Sequence, residues 1–286
     1  MTDTMSEVKA GERFAFGANW MSFVRLVDEA RIAAAIASLT DTLRAADLSG
    51  RSFLDIGCGS GLFSLAASRL GARVHSFDYD PDSVEATTNL RNRFAPDHDW
   101  IVESGSILDP SYLRPLGRFD VVYSWGVLHH TGALWTALGN AADMVAPGGH
   151  LFISVYNDQG RASRVWRRVK ARYNRSGRLV RAVLIGGSLL VLGRRWPVGL
   201  VLRAIQGRRR EHRVAGTRPP IRARGMSRRH DLVDWVGGYP FEVARPEEVF
   251  RFVSDRGFEL RHLRTCGGGL GCNEYVFERV AGAHRS

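Results

Sequence analysis

Leu54-Asp55-Ile56-Gly57-Cys58-Gly59-Ser60-Gly61 joins an apolar run, Ser52–Ile56, to a stretch with helical period, Leu62–Leu70. The octet therefore reads as a tight turn from a strand into a helix. Glycine lets such a turn close sharply and lets a ligand approach the backbone with no Cβ in the way. A dinucleotide fingerprint, G-x-G-x-x-G, would need its third glycine at position 62, which is Leu62; the spacing here is G-x-G-x-G. Outward from the turn, residues 51–157 alternate short β-rich runs with helical ones, the pattern of parallel strands joined by crossover helices. Further strands are predicted at Arg73–Phe77, Trp100–Glu103, Phe119–Ser124 and His150–Val155, and helices at Asp82–Arg93 and Ala133–Val145. Asp80-Pro81-Asp82 is a capped start for the first of these helices. The fold class is α/β, a doubly wound sheet.

The flanks complete that sheet and add to it. Pro246-Glu247-Glu248 opens a helix and Gly257 closes it. Phe258–Thr265 and Asn273–Arg279 then read as an antiparallel pair ending the sheet. Upstream, Phe23, Val24, Val27, Ala30, Ala33, Ala34 and Leu39 keep roughly a helical period, so residues 21–45 form one or two covering helices. An insertion separates the fifth strand from the last helix. Within it Ala162, Val165, Trp166, Val169 and Tyr173 give an apolar stripe on a helix whose other face carries arginines. The next apolar stretch, residues 179–205, has a longest uncharged run of 12 residues, Ala182–Gly193, against roughly 20 needed to span a bilayer. It lies in an interface plane or packs over a substrate cavity. Three regions follow: 1–48, a helical cap and lid; 49–158 with 244–280, the core; and 159–243, a basic helical insertion forming the substrate region.

Charge separates these regions. The formal total is +11, but residues 160–230 hold 21 Arg and Lys against one acid, Glu211, so this segment carries +20 on a body of −9. Any anionic partner meets it there, a membrane headgroup or a nucleic acid. Nearly all of the positive charge is arginine, with Lys9 and Lys170 the two lysines. Cys58, Cys266 and Cys272 show neither CxxC spacing nor an even count, so reduced, unmetallated thiols are expected and no metal site. The polar start, Met1–Arg13, lacks the order of a secretory signal, and a cytoplasmic location is expected.

The glycine spacing resembles motif I of class I S-adenosylmethionine-dependent methyltransferases. Phe119–Thr131 resembles the fourth-strand motif of their small-molecule group, and Val145–Ser154 the turn into strand five. The nearest likeness is to quinone, lipid and natural-product O-methyltransferases. The resemblance implies a seven-stranded sheet of order 3-2-1-4-5-7-6 with the last strand antiparallel. It also implies S-adenosyl-L-methionine as cofactor and S-adenosyl-L-homocysteine as product. Asp55 would hold the cofactor's ammonium end, and Gly57, Cys58, Gly59 and Gly61 would line its path. Asp78, followed by Tyr79, would grip the ribose hydroxyls, an acid that dinucleotide enzymes also use. Ser106 and Ile107 would stand where the family often places an acid beside the adenine, and Trp125 and Gly126 would follow strand four. Phe16 and Trp20 read as an aromatic lid that excludes water and favours the sulfonium through cation–π attraction.

On the acceptor side, His129 and His130 follow strand four, and histidine is the natural base near neutral pH. A second cluster, Gly225–Glu242, combines His230, Asp231, Asp234, Trp235 and Tyr239 directly before the last helix. His230 with Asp231 is the preferred base pair, with Asp234 as another candidate orienter and His129 as the other catalytic candidate. His130, Asp234, Trp235, Tyr239, Tyr156 and Asn273 are the expected substrate contacts. The reading is methylation of a small molecule, at oxygen, with a polyprenyl phenol, a glycolipid or a sugar as acceptor and peripheral contact with an anionic membrane surface. Two alternatives stay open: methylation of RNA with the arginine-rich insertion as phosphate clamp, and a regulatory protein that binds the cofactor without turnover.

Overall fold

The computed structural model describes residues 4–193, 235–269 and 271–280. His230, Asp231 and Asp234 lie outside the described residues. Three helices lead in: α1 (Thr4–Ala10), α2 (Phe16–Val24) and α3 (Glu29–Leu43). The Asp28 carboxylate starts α3 by accepting the Arg31 N–H, which satisfies one of the donors a helix start leaves open. The core then runs β1 (Ser52–Ile56), α4 (Leu62–Arg69), β2 (Arg73–Asp78), α5 (Pro81–Phe94), β3 (Trp100–Ser104) and the single turn α6 (Pro110–Leu113). It continues through β4 (Phe119–Trp125), the 3₁₀ turn Leu128–His130, α7 (Leu134–Asp143) and β5 (Val145–Tyr156). The insertion opens with α8 (Arg161–Asn174) and α9 (Arg178–Gly193), and α10 (Pro246–Ser254), β6 (Phe258–Arg264) and β7 (Cys272–Arg279) close the chain.

The seven strands form one sheet of order β3-β2-β1-β4-β5-β7-β6. The first five are parallel, and β7 runs antiparallel between β5 and β6, from Tyr156 opposite Cys272 to His150 opposite Glu278. One face packs under α7 and α10 through Leu138, Ala141, Val249 and Val253. The other packs under α3, α4 and α5 through Ile32, Leu39, Leu65 and Leu90. Both faces being covered explains the near-continuous burial along β1 and β4, whose residues have no solvent side to alternate with.

Three local readings differ from expectation. Strand β5 begins at Val145, not His150, because Val145 already pairs with Phe119 across an irregular register at Phe119/Val121; α7 ends correspondingly at Asp143. The aromatic stretch before residue 21 is helical from Phe16. Helix α8 buries Trp166, Lys170, Tyr173 and Asn174 while Val165 is 56% exposed. Two aromatic rings, with more area to bury than a valine, set the rotation of that helix.

Candidate active site

The turn after β1 is held from below. Gly57 and Cys58 both donate their N–H to the Phe77 carbonyl at the end of β2, at 2.8 and 3.1 Å. Gly57 has φ +74° and Gly59 φ +56°, where a side chain costs about 1–2 kcal/mol. Space is as tight as the backbone. A Cβ on Gly57 would come 2.4 Å from Val127 Cγ1, and one on Gly59 would come 2.9 Å from Trp20 Nε1. The loop is thus pressed between the segment after β4 and the N-terminal helix α2. Gly61 begins α4, and Cys58, buried and bonded by the Thr87 hydroxyl at 3.3 Å, has its thiol pushed well up by burial.

Two carboxylates serve this loop. Asp78 accepts the Gly59 N–H at 2.9 Å on one oxygen and the Asp80 N–H at 2.9 Å on the other. A carboxylate has about four acceptor positions, so a pair remains for the two hydroxyls of a ribose. Burial pushes Asp78 up to about 6 against the pull of those two N–H groups. Asp55, beneath the loop, is 2% exposed and pushed up to about 7, again by burial, with the Ser64 hydroxyl bond opposing. That bond ends a chain: Trp100 Nε1 donates to Ser76 Oγ at 2.8 Å, Ser76 pairs with Ser64 at 2.8 Å, and Ser64 donates to Asp55. With two acids at its floor and rim, the loop repels a pyrophosphate and suits a cationic amino-acid nucleoside. The residues present fit S-adenosylmethionine on the chemistry of their donors and acceptors.

The N-terminal segment closes over this rim. Gly17 N donates to Asp80 Oδ2 at 2.8 Å, and a Cβ there would meet Asp82 Cβ at 2.4 Å, so α2 sits directly on the start of α5. The Arg13 guanidinium lies 4.7 Å over the Tyr79 ring, pairs with Glu7 at 2.7 Å and donates to the His130 carbonyl at 3.2 Å. The Tyr79 hydroxyl donates to Glu7 at 3.2 Å. Phe16 contacts the His130 ring at 5.0 Å. Farther along the rim, Ser106 Oγ accepts the Leu108 N–H at 3.2 Å and the Ile107 side chain joins the core. Trp125 packs half-buried on the opposite core face, and Gly126 N donates to Ser154 Oγ at 2.8 Å.

Beyond strand four the structure gathers an aromatic wall. The His129 ring lies 3.9 Å from Tyr156 and 4.4 Å from His130. Tyr156 in turn meets Trp235 at 5.1 Å and Phe241 at 5.3 Å, and Trp166 of α8 meets Trp235 at 5.7 Å. His129 is fully buried, without a well-formed side-chain hydrogen bond among the described residues, and burial holds it well below the usual imidazole range. His130 Nδ1 bonds the Pro240 carbonyl at 2.6 Å, so this nitrogen carries the proton. Burial, with Lys170 next, brings His130 down to about 3. Its neutral ring therefore keeps a lone pair on Nε2. Tyr239 gives its carbonyl to the Phe14 N–H at 2.9 Å, docking the N-terminal segment on the wall. Asn273 spends its amide on the Asn157 side chain and the Cys266 N–H, both at 3.1 Å, tying the last hairpin to the end of β5.

Sequence reasoning missed Lys170, whose one available signal is a lysine in a chain that, Lys9 apart, uses arginine. Arg13 and Phe241 fell within the aromatic N-terminal stretch and the Gly225–Glu242 cluster without being singled out. Among the described residues no cluster of three or more His, Cys, Asp or Glu could hold a metal, and no helix is long and apolar enough to cross a membrane.

Residues 28–184 match the family model described as a methyltransferase domain, more than half of the chain. A ubiquinone biosynthesis O-methyltransferase of Xanthomonas oryzae pv. oryzae (strain PXO99A) is 32% identical over 111 residues, 39% of this chain and 45% of that protein. Its counterpart in Xanthomonas campestris pv. campestris (strain B100) is 34% identical over 110 residues, 38% of this chain and 45% of that protein. The match thus spans a little under half the length of these curated relatives. Among solved structures, a chain of the complex between the Haloferax volcanii Trm112 methyltransferase activator and its methyltransferase aligns over 95% of this chain and 98% of its own. Its TM-score is 0.53 at 14% identity, a likeness of fold. With the sheet order, the glycine turn and the family match in agreement, the chain belongs to the methyltransferase domain family, in its class I, S-adenosylmethionine-dependent branch.

Proposed function

We propose that this chain moves the methyl group of S-adenosylmethionine to an oxygen of a small acceptor, a phenol or quinol in the first instance and a sugar or glycolipid in the second. The observation that carries the cofactor half is the Asp78 carboxylate, anchored by two backbone N–H groups at the loop rim with acceptor positions to spare. When bound, the cofactor supplies an electrophilic methyl on a cationic sulfur. The chain's own residues do the rest. Asp78 takes the ribose hydroxyls, Asp55 the ammonium end, and Phe16 and Trp20 cover the rim and exclude water. On the other side, the wall of Tyr156, Trp235 and Phe241 suits a flat ring. His130 Nε2 can accept the acceptor's hydroxyl hydrogen bond and so orient its oxygen. His230 with Asp231, five and four residues before Trp235 in sequence, is proposed as the proton-taking pair. Asp234 and Tyr239 are proposed at the acceptor's edge, with Asn273 behind it as a support, its amide holding Asn157 and the Cys266 N–H. The partial likeness to ubiquinone biosynthesis O-methyltransferases supports oxygen and a phenolic ring.

Calorimetry on the pure chain tests the first half: heat is expected with S-adenosylmethionine and S-adenosylhomocysteine, and heat with a nicotinamide dinucleotide alone would overturn it. Labelled cofactor in fractionated extract tests the second. Label is expected in small or lipid-extractable solutes, and label in RNA would replace this acceptor class.

Peripheral membrane contact is a further part of the reading. Arg161, Arg164, Arg167 and Arg168 are exposed on α8, and Leu179 and Val183 of α9 are 85% and 72% exposed. Cations beside exposed apolar side chains suit an anionic lipid surface. Flotation with anionic vesicles checks it, and no association would point to a water-soluble acceptor.

A further inference from the structure

Lys170 is fully buried, and a buried lysine needs a reason. Its ammonium donates to the Trp235 carbonyl and lies 4.7 Å from the Trp235 ring centroid, 4.8 Å from that of Phe241 and 5.5 Å from that of Tyr156. One cation thus ties together three stretches remote in sequence: the end of β5, the insertion helix α8 and the segment before α10. Arginine, with its wide planar fork, does not fit a point at which three ring faces converge, whereas a compact ammonium does. That accounts for a lysine in a chain with 38 arginines. Asn174, one turn on, donates to the Gly237 carbonyl at 2.7 Å and holds the same segment. The wall is also continuous: Tyr156, caged by Lys170, is the ring against which His129 lies at 3.9 Å, with His130 at 5.5 Å.

We propose that Lys170 is a positioning residue of the acceptor side, a caged cation that fixes the Tyr156–Trp235–Phe241 wall and adds a positive field beside the adjoining His129–His130 pair. The inference rests on the methyl-transfer reading and deepens it. A second positive charge on either imidazole would face Lys170 in a medium of low dielectric, which disfavours it by Coulomb repulsion. Burial acts first and Lys170 adds to it; Arg13, which bonds the His130 carbonyl, contributes in the same sense for His130, and the two imidazoles face each other. A field that repels a proton from the histidines favours negative charge on an acceptor oxygen placed beside them. The site is then suited to acceptors that ionise readily, a phenol before an aliphatic alcohol.

The test is histidine ring NMR on the full chain across pH 4–8, with S-adenosylhomocysteine as the bound ligand. In the wild type both rings are expected to stay neutral throughout, His130 with its proton on Nδ1. Lys170→Met, which keeps the length without the charge, is expected to raise the onset of His130 protonation by roughly one pH unit, and Lys170→Arg, which keeps the charge but not the compact head, to raise it by less. Wild-type rings that titrate near pH 6.5 would overturn the proposal without any variant, which covers the case in which Lys170→Met does not fold. A folded Lys170→Met protein with unmoved histidine titrations would also overturn it. Either failure in a protein that still binds S-adenosylhomocysteine leaves the methyl-transfer reading standing, whereas loss of binding in the wild type removes that reading itself.

Discussion

The two sides of the site are built in opposite ways. The proposed cofactor side is built on one contiguous turn and the ends of two neighbouring strands, and its shape is set by dihedral angles and by N–H directions that also anchor the Asp78 carboxylate. The acceptor side is almost all side chain, drawn from residues 129–130, 156, 166–174 and 235–241, and its shape is set by ring packing around one ammonium. The first is rigid because glycine at positive φ leaves no alternative residue and little slack. The second can be altered ring by ring, which is how one fold comes to serve many acceptors.

That difference predicts unequal sensitivities. Gly57→Ala should do the most damage, because the left-handed backbone and the 2.4 Å approach to Val127 penalise the same added atom. A loss of about 2 kcal/mol or more in urea unfolding, with cofactor binding reduced beyond measurement, is expected; a tolerant Gly57 would show the cradle to be less rigid than its geometry. Asp78→Asn comes next. Asparagine keeps one accepting oxygen, and its amide nitrogen cannot accept the second N–H from Gly59 or Asp80; a lost acceptor costs about 1–3 kcal/mol, so cofactor affinity should fall ten- to hundredfold by calorimetry with less change in Tm.

The acids also give the cradle a pH signature. Asp55 and Asp78 are raised to about 7 and 6, so folding favours their protonated forms. Their contribution to stability is complete below the unfolded carboxylate range near 4 and is lost as pH rises through about 6–7. The unliganded protein should lose stability over that interval while affinity for the cationic cofactor rises, roughly tenfold between pH 6 and 8. Asp55→Asn should flatten most of the stability slope in thermal melts.

Smaller effects should fall on the side-chain elements. Trp20→Ala removes the indole over Gly59 and should weaken cofactor binding several-fold, with no change in the acceptor preferred. The double change Arg164→Glu, Arg168→Glu, on exposed positions of α8, should leave both Tm and cofactor affinity in place and lower association with anionic vesicles in flotation. Should it weaken the cofactor instead, the insertion is coupled to the cradle more closely than the two-sided picture allows.

Much of this was legible in the sequence, and the reason is local. Strand and helix periods, the Asp80-Pro81 cap and the glycine turn are each written within a dozen residues, and the sheet order followed from the resemblance they carry. The edges were less legible. Strand β5 begins five residues early because Val145 finds Phe119 across the sheet, a partner no local window contains. The stripe read on α8 placed Trp166 and Tyr173 inward, as they are, but Ala162 and Val165 with them; those two are exposed, because the helix turns to the rings that meet Trp166 and Tyr173 from elsewhere in the chain.

By itself, then, the order of residues determined the cradle: dihedral needs and hydrogen-bond directions act between near neighbours, and glycine, aspartate and proline announce them. Only the folded structure decided the wall. Whether Lys170 is a solvated cation on an amphipathic helix or the centre of an aromatic cage depends on Tyr156, Trp235 and Phe241 converging on it. Convergence over such separations in sequence is a property of packing, which no short segment encodes.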